Sequence, residues 1–265
     1  MPKANIFSIS TAFQNLSNRT FHYLSITHSI YVATATKLRS YSNYTQLGYL
    51  NTRATTMSTP NRWLVAYNSI SASLWAIVLA NVLFLAPLLG QPYVFDKTQL
   101  FLTVVQCGAV VEIVNAVTGV VRLPVGTTVA QVFLRLLIVL GIFQLLPDSP
   151  ANTHWAYISL CLAWSFTEVV RYSYYAANLA DAGGVPYWLT WLRYSAFYVL
   201  YPIGVASEMS IIWMSLGEAE LVVGKFYSWV LFAILFTYPP GLYSLYTYMM
   251  RQRRKVLGGK TVKKE

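Results

Sequence analysis

The stretch WLVAYNSISASLWAIVLANVLFLA, residues 63–86, contains no charged side chain. A helix that crosses a bilayer needs about 20 mostly apolar residues, and this stretch is long enough. Pro87, Gly90 and Pro92 follow it, and such residues favour the end of a helix. The stretch therefore predicts a membrane-spanning helix.

The composition extends this prediction to most of the chain. Of 265 residues, 56% are hydrophobic and 11% are charged, whereas soluble domains carry about 25% charged residues. We therefore predict an all-α polytopic membrane protein, a bundle of six transmembrane helices within residues 61–250. The five further spans are predicted at about 98–118, 127–146, 154–175, 189–213 and 226–249.

The net charge of +10 is concentrated at the two ends of the chain. Six basic and no acidic residues lie in 1–62, and seven basic residues lie in 251–265. Basic ends around an apolar middle orient a membrane protein and contact anionic lipid heads, so we expect a bilayer and not nucleic acid as the partner. Six spans put both ends on one side, and the basic residues predict that this side is the cytosol.

The two ends are also predicted to lie outside the membrane domain. Residues 1–60 are rich in Ser, Thr, Asn and Tyr and lack acidic residues, which is typical of a targeting segment or of a disordered extension. We predict that residues 251–265 form a basic cytosolic tail.

The potential metal ligands do not predict a metal site. Cys107 and Cys161 lie in apolar stretches, where cysteine is usually a small core residue. His22, His28 and His154 are scattered, and no pair has ligand spacing. We therefore expect no metal ion.

Several ionisable residues fall within or at the edges of predicted spans. Each would cost a few kcal/mol if it faced lipid, so we expect these residues to face the interior of the bundle. Glu168 and Arg171 are three residues apart on one helix face, which favours a structural ion pair. The full set is Glu112, Arg135, Glu168, Arg171, Arg193 and Glu208.

The segment YPIGVASE, residues 201–208, places a carboxyl deep in the fifth predicted span. No arginine or lysine lies between Arg193 and Lys225. The nearest ionisable side chain on the face of Glu208 is Tyr201, two turns and about 10.5 Å away, and Pro202 can kink the helix between them. From the pattern alone, Glu208 is either functional or paired with a buried partner elsewhere, and Tyr201 is either catalytic or a packing residue.

Four motifs are similar to those of one family, the very-long-chain 3-hydroxyacyl-CoA dehydratases, also called the protein-tyrosine-phosphatase-like family. The resemblance covers about residues 63–250. The motifs are YNSISASLW in the first span, VVQCGAVVEIVNAVTGVVRLPVGTTVAQVFLR across the second and third, WSFTEVVRYSYYA in the fourth, and WLRYSAFYVLYPIGVASE in the fifth.

The resemblance implies an activity and a site. It implies a hydro-lyase of the endoplasmic reticulum membrane that uses no cofactor and works with other enzymes of fatty-acid elongation. Such an enzyme removes water from a 3-hydroxyacyl-CoA, in the third step of elongation, to give the trans-2-enoyl-CoA. The resemblance also implies that Tyr201 and Glu208 form the catalytic pair, and it places Glu168, Arg171 and Arg193 at family positions.

The chemistry suits this pair. Dehydration removes a proton from C2 and hydroxide from C3, so it needs a base and an acid beside adjacent carbons. We expect Glu208 to take the C2 proton and Tyr201 to assist the departing hydroxyl or polarise the thioester carbonyl, although the reverse assignment stays open. We place Tyr201 about 12 residues, roughly 18 Å, into its span.

At that depth the nucleotide of CoA stays at the cytosolic mouth, where basic residues can meet its phosphates. Arg193 and Arg171 are candidates for this role, and each has a structural alternative; Arg135 is equally open between the two roles. For the cluster at 251–255 we favour lipid contact.

Two other functions fit parts of the sequence. One is a non-catalytic scaffold of the elongase complex, and the other is a small transporter with a proton site at Glu208. An ionisable acid inside the membrane argues against a scaffold, and the chain has no inverted repeat that would indicate a transporter. Aromatic residues near the span ends are expected to form interface belts; these are Trp63, Trp155, Trp188 and Tyr238.

Overall fold

The computed structural model describes residues 62–121, 125–180 and 184–258. Its regular secondary structure in those ranges is helical, which confirms the all-α prediction. The α-helices are α1 Arg62–Leu89, α2 Tyr93–Cys107, α3 Val110–Val117, α4 Val125–Leu136, α5 Trp155–Ala180, α6 Tyr187–Ser195, α7 Phe197–Val222, α8 Lys225–Leu235 and α9 Tyr238–Leu257. A π-helix, Leu137–Gln144, continues α4, and a 3₁₀ helix, Pro150–Thr153, precedes α5.

The predictions for the two ends fall largely outside these ranges. The extension at 1–60 lies outside the described residues, and so do residues 259–265. Residues 251–257 belong to α9, so this helix continues seven residues past the predicted boundary of the membrane domain.

Five helical segments of the described chain are long and apolar enough to cross a membrane. They are Arg62–Leu89, Tyr93–Val117, Val125–Gln144, Phe197–Val222 and Lys225–Leu257. The protein is therefore a multi-pass membrane protein. The fourth predicted span corresponds to α5, a 26-residue helix that is less apolar because it carries Glu168, Arg171 and many Tyr and Ser residues. The count of six spans thus stays a prediction.

Four of the predicted spans are not single α-helices, and the third predicted span consists of α4 followed by the π-helix. The second is divided between α2 and α3 at Gly108, and the sixth between α8 and α9 after Leu235. The fifth is divided between α6 and α7 at Ala196, so Tyr201 lies four residues after the start of α7, about 6 Å along its axis. The predicted depth of about 18 Å was counted from residue 189, along α6, Ala196 and α7 together, and it stays a prediction.

Helix α5 is the centre of the bundle and packs most extensively against α1 and α7. Gly204 of α7 faces α5, where an added Cβ would lie 3.7 Å from the Cβ of Ala163. Beside this contact, the Ser159 and Ser207 hydroxyls are 2.7 Å apart across the two helices. Small residues and interhelical hydrogen bonds bring helices together where lipid supplies little hydrophobic driving force between them.

An aromatic cluster fixes the start of α5 against α2 and the π-helix. Phe95, Phe143 and Tyr157 meet edge to face, with ring centroids between 5.0 and 5.6 Å apart. The Tyr157 hydroxyl lies 2.8 Å from the Thr98 hydroxyl, so its one polar group is satisfied inside the core. Such edge-to-face pairs add stability beyond the area that they bury.

The start of α1, the ends of α3, α5 and α9, and the helix α6 meet at one end of the bundle, which we call the Arg62 end. Side-chain hydrogen bonds link these elements in turn. They join Trp63 to Asn115, Tyr67 to Tyr172, Arg193 to Tyr175 and Arg253 to Ser195.

Candidate active site

Glu208 lies near the middle of α7, and both of its carboxylate oxygens accept hydrogen bonds. The indole Nε1 of Trp164, on α5, donates to Oε1 at 2.9 Å. The hydroxyl of Tyr238, on α9, donates to Oε2 at 2.9 Å. Two donors from two other helices therefore fix the plane of a carboxylate that is half-buried in a membrane-spanning segment.

Tyr201 is half-buried about one turn into α7 and packs against the hydrophobic core. It lies close enough to Tyr238 for the two phenols to interact electrostatically. Tyr238 is thus a neighbour of both members of the predicted pair. Helix α7 runs without interruption through Pro202, so Tyr201 and Glu208 are positioned by one continuous helix.

The expectation that Tyr238 belongs to an interface belt is wrong. Its side chain is 7% exposed and contacts Glu208. The helix is interrupted between α8 and α9, and Tyr238, the first residue of α9, points into the bundle. Its position near the end of the apolar stretch did not reveal this orientation.

Trp164 is a site residue that the sequence analysis did not single out. A usable signal was present, because Trp164, Glu168 and Arg171 follow one another at spacings of four and three residues on α5. This spacing puts all three on one helix face.

Glu168 is the centre of a buried ion cluster and is 2% exposed. Arg171 donates from Nε to Glu168 Oε2 at 2.6 Å, so the predicted pair within α5 is present. Arg135 reaches across from α4 and donates from Nη1 to Glu168 Oε1. Its guanidinium also lies 4.8 Å above the ring of Trp164, a distance at which a cation and an aromatic face attract each other.

Glu112 extends the cluster toward the Arg62 end. Arg171 donates from Nη1 to Glu112 Oε2 at 3.0 Å and from Nη2 to Glu112 Oε1, which forms a bidentate pair. The Tyr172 hydroxyl donates to the same carboxylate. Two carboxylates thus occupy the guanidinium of Arg171, an arrangement that favours a supporting role over phosphate binding.

The ion cluster and the Glu208 site share Trp164 and Arg135. Trp164 donates a hydrogen bond to Glu208, and the guanidinium of Arg135 lies above the Trp164 ring. Arg135 also interacts electrostatically with Glu208. A continuous polar path therefore runs from the middle of α7 to Tyr172. Ionisable groups inside a membrane domain are expensive unless they are paired, so such a path is a candidate functional feature.

Arg193 does not join this cluster. It lies on α6 at the Arg62 end, where it donates to the Tyr175 hydroxyl at 3.3 Å. Its guanidinium is also 5.9 Å from the ring of Tyr194. The structure thus brings Arg135, Glu168 and Arg171 together and leaves Arg193 in an aromatic setting nearer the helix ends.

An apolar cavity of about 250 Å³ lies between α1, α2, α3 and α5. Tyr67 and Tyr172 line it, so it borders the Glu112 end of the polar path. Its remaining lining is largely hydrocarbon and suits an alkyl chain. The other lining residues are Trp63, Ala66, Ile70, Ser71, Leu74, Trp75, Val105, Gly108 and Val111.

Comparison with known proteins places this arrangement in a family. A family profile described as "Protein tyrosine phosphatase-like protein, PTPLA" matches residues 106–259. The very-long-chain (3R)-3-hydroxyacyl-CoA dehydratase hpo-8 of Caenorhabditis elegans is 39% identical over 216 residues, covering 77% of this chain and 98% of that protein. No solved structure matches the chain.

Relatives from other kingdoms show the same similarity. The probable very-long-chain (3R)-3-hydroxyacyl-CoA dehydratase of Schizosaccharomyces pombe is 38% identical over 202 residues, 74% of this chain and 92% of that protein. The Arabidopsis thaliana dehydratase PASTICCINO 2 is 34% identical over 209 residues, again 74% of this chain and 92% of that protein. The profile and the relatives cover well over half of the chain, and the chain therefore belongs to the protein tyrosine phosphatase-like family, PTPLA.

Proposed function

We propose that this protein is a very-long-chain 3-hydroxyacyl-CoA dehydratase, a hydro-lyase that forms the trans-2-enoyl-CoA in the third step of fatty-acid elongation. The names of its relatives support the activity. The observation that carries the proposal is the Glu208 carboxylate, held in the middle of a membrane-spanning helix by Trp164 and Tyr238. Such a fixed carboxylate is suited to remove a proton from a substrate in an apolar site.

In this mechanism Glu208 removes the C2 proton, and the electrons of that C–H bond form the C2–C3 double bond. The C3–O bond breaks, and Tyr201 gives its proton to the departing hydroxide, which leaves as water. The proton on Glu208 then returns to Tyr201. We assign the Tyr238 hydroxyl, which is hydrogen-bonded to Glu208, to this return of the proton.

The ion cluster supports the reaction indirectly. Arg135 and Arg171 hold Glu168, and Arg135 also contacts Trp164. Trp164 in turn orients the carboxylate of Glu208. We therefore assign Arg135, Glu168 and Arg171 to positioning rather than to contact with the reacting carbons.

The test is a dehydration assay on purified protein with a long-chain 3-hydroxyacyl-CoA. Glu208→Gln and Tyr201→Phe are each expected to lower kcat by about 100-fold or more, because each removes a proton-transfer group. Glu208→Asp is also expected to lose most activity, because the shorter side chain draws the carboxylate away from the substrate.

Two matched controls are available. Glu220→Gln changes an exposed carboxyl on the same helix, and Tyr243→Phe changes an exposed tyrosine on α9. Both controls are expected to keep wild-type activity. Full activity in Glu208→Gln would contradict the base role, and an inactive wild-type protein would contradict the function.

We also assign the protein to the endoplasmic reticulum membrane, with both ends in the cytosol and beside the other elongation enzymes. The basic residues at both ends of the chain support the orientation. The compartment and the partners follow from the proposed activity. Fractionation of cells and co-purification with the other elongation enzymes would check this assignment, and recovery in another membrane would contradict it.

A further inference from the structure

A basic pocket of about 320 Å³ lies at the Arg62 end, between the start of α6 and the end of α9. It is separate from the residues that surround Glu208, and its lining contains no acidic side chain. The lining residues are Tyr187, Trp191, Arg253, Arg254, Leu257 and Gly258.

The side chains of this pocket combine two kinds of contact. Arg253 and Arg254 provide guanidinium groups, which bind phosphate oxygens through paired N–H donors. Tyr187 and Trp191 are 68% and 47% exposed and present aromatic surface on which a planar base can stack. Arg253 also donates from Nε to the Ser195 hydroxyl at 3.1 Å, a bond that fixes the guanidinium relative to α6.

We propose that this pocket binds the phosphorylated adenosine of the acyl-CoA substrate. The inference rests on the proposed function, because that function defines the acyl-CoA. A phosphorylated adenine nucleotide carries both the negative charge that the arginines match and the planar base that the aromatic rings match.

The position of the pocket fits the length of the substrate. Ser195, which is bonded to Arg253, precedes Tyr201 by six residues and Glu208 by thirteen, about 9 Å and 20 Å along the helical path. The extended pantetheine arm of CoA has a comparable length. A nucleotide in the pocket therefore leaves the thioester able to reach the Glu208 site while the acyl tail continues into the bundle.

Only part of the basic cluster at 251–255 lines the pocket, although the sequence favoured lipid contact for the whole cluster. Arg253 and Arg254 line the pocket, whereas Arg251 and Lys255 are exposed outside it. A lipid headgroup offers a phosphate but no planar base. The two aromatic residues thus favour a nucleotide over a lipid, and the cluster itself supplies charge-matched controls.

A first experiment compares the same 3-hydroxyacyl chain on CoA and on pantetheine, which lacks the nucleotide. Wild-type protein is expected to prefer the CoA thioester in kcat/KM. Arg253→Ala, Arg254→Ala and Trp191→Ala are each expected to lower this preference about tenfold. Arg251→Ala, Lys255→Ala and Trp188→Ala, which change residues outside the pocket, are expected to keep it.

A second experiment measures binding without turnover. Adenosine 3′,5′-bisphosphate is titrated into the full-length protein in nanodiscs of phosphatidylcholine. Wild-type protein and the three control variants are expected to bind it, and the pocket variants are expected to bind about tenfold more weakly. Because the Arg254 side chain is exposed, Arg254→Ala separates a binding defect from a folding defect.

The outcomes separate this inference from the proposed function. Bisphosphate binding that depends on the pocket, in a protein without dehydratase activity, would support the pocket and overturn the function. An active dehydratase whose pocket variants keep both the CoA preference and the bisphosphate affinity would overturn the pocket. Pocket variants that lose only affinity for phosphatidylserine bilayers would identify a lipid site and would also overturn it.

Discussion

The carboxylate of Glu208 is held by hydrogen bonds that come from two different helices. Trp164 donates from α5 and Tyr238 from α9. A hydrogen bond to a charged group contributes about 1.5–3 kcal/mol, so rotating this carboxylate away from its donors is unfavourable. Because both donors occupy fixed positions, we expect the carboxylate to meet the substrate already oriented.

Replacing Tyr238 tests this orientation. In Tyr238→Phe the carboxylate loses one donor, and the proposed return route for the proton is interrupted. We expect kcat to fall about tenfold or more with little change in KM, because the lost contacts are made to Glu208 and not to the substrate. Steady-state kinetics with a long-chain 3-hydroxyacyl-CoA measure both values.

Tyr243→Phe, an exposed substitution on the same helix, is the control for Tyr238→Phe. The control is expected to retain wild-type kcat. If Tyr238→Phe raised KM alone, Tyr238 would be a substrate contact rather than a positioning residue.

The sequence predicted the contact between residues close together in the chain and missed the contacts between residues far apart in it. Glu168 and Arg171 share one turn of a helix, so their pair followed from spacing alone. Arg135 pairs with a residue 33 positions away, and Tyr238 with one 30 positions away. These contacts depend on helix packing, which a single sequence does not specify.

Among the secondary-structure elements, α4 and α5 are joined by the ion pair between Arg135 and Glu168. Removing one partner of a buried pair leaves the other without its counter-charge and destabilises a protein by about 3–5 kcal/mol. Arg171 still pairs with Glu168 in Arg135→Ala, so we expect the free energy of unfolding to fall by less than this, about 1–3 kcal/mol. Thermal unfolding in a mild detergent measures the effect as a lower Tm.

A double variant, Arg135→Met with Glu168→Leu, distinguishes the pair from general packing. Replacing both charges with apolar side chains is expected to destabilise the protein less than the sum of the two single changes. Additive effects would indicate that the two side chains do not act as a pair.

The π-helix imposes a steric requirement at Gly141. The Tyr227 hydroxyl donates to the Gly141 carbonyl at 2.8 Å, and a Cβ added at Gly141 would lie 2.5 Å from that hydroxyl oxygen. We expect Gly141→Ala to destabilise the protein by about 1–3 kcal/mol, as is usual for overpacking. The change in Tm on thermal unfolding is the measurement.

Gly126→Ala on α4 is the matched control, because nothing lies within 4 Å of a Cβ added there. Alanine has the higher helix propensity, so this control is expected to be neutral or slightly stabilising. Adding Tyr227→Phe to Gly141→Ala should recover part of the loss, and no recovery would contradict the proposed clash.

The bounds of the elements were less predictable than their existence. Apolar composition located the spans, but the interruptions at Gly108, Ala196 and Phe236 lie inside continuous apolar stretches. Gly108 itself and the pair Pro239 and Pro240 at the start of α9 are local helix-interrupting residues at two of these positions. A hydropathy average over a whole span does not register them.

For the whole molecule, the fold class followed directly from composition, because a chain with so few charges can bury its apolar surface only in a bilayer. Hydropathy alone does not fix the number of crossings, because α5 carries the buried ion cluster and is less apolar than the other spans. The path of α5 decides whether the two ends of the chain lie on one side.

Cysteine labelling in sealed microsomes tests this topology. With six crossings, Val120→Cys and Lys255→Cys share one side, and Asp148→Cys and Val223→Cys share the other; all four positions are exposed. We expect a membrane-impermeant maleimide added outside to label the first two and to reach the last two only after permeabilisation. The unmodified protein gives the background from Cys107 and Cys161.

If α5 does not cross the membrane, this pattern changes. Val120→Cys and Asp148→Cys would keep their opposite sides, but Lys255→Cys would be protected with Asp148→Cys. That result would contradict the six-span bundle.

The π-helix at residues 137–144 also makes the chain length in this region critical. Each residue advances a helix by about 100°, and a wider π turn absorbs residues that an α turn cannot. Arg135, before this segment, contacts α5, while Gln144, at its end, donates to Thr103 of α2 at 3.2 Å. Deleting one residue between Arg135 and Gln144 would rotate one of these side chains by about 100° relative to the other. A shortened segment could therefore keep the contact with α5 or the contact with α2, but not both.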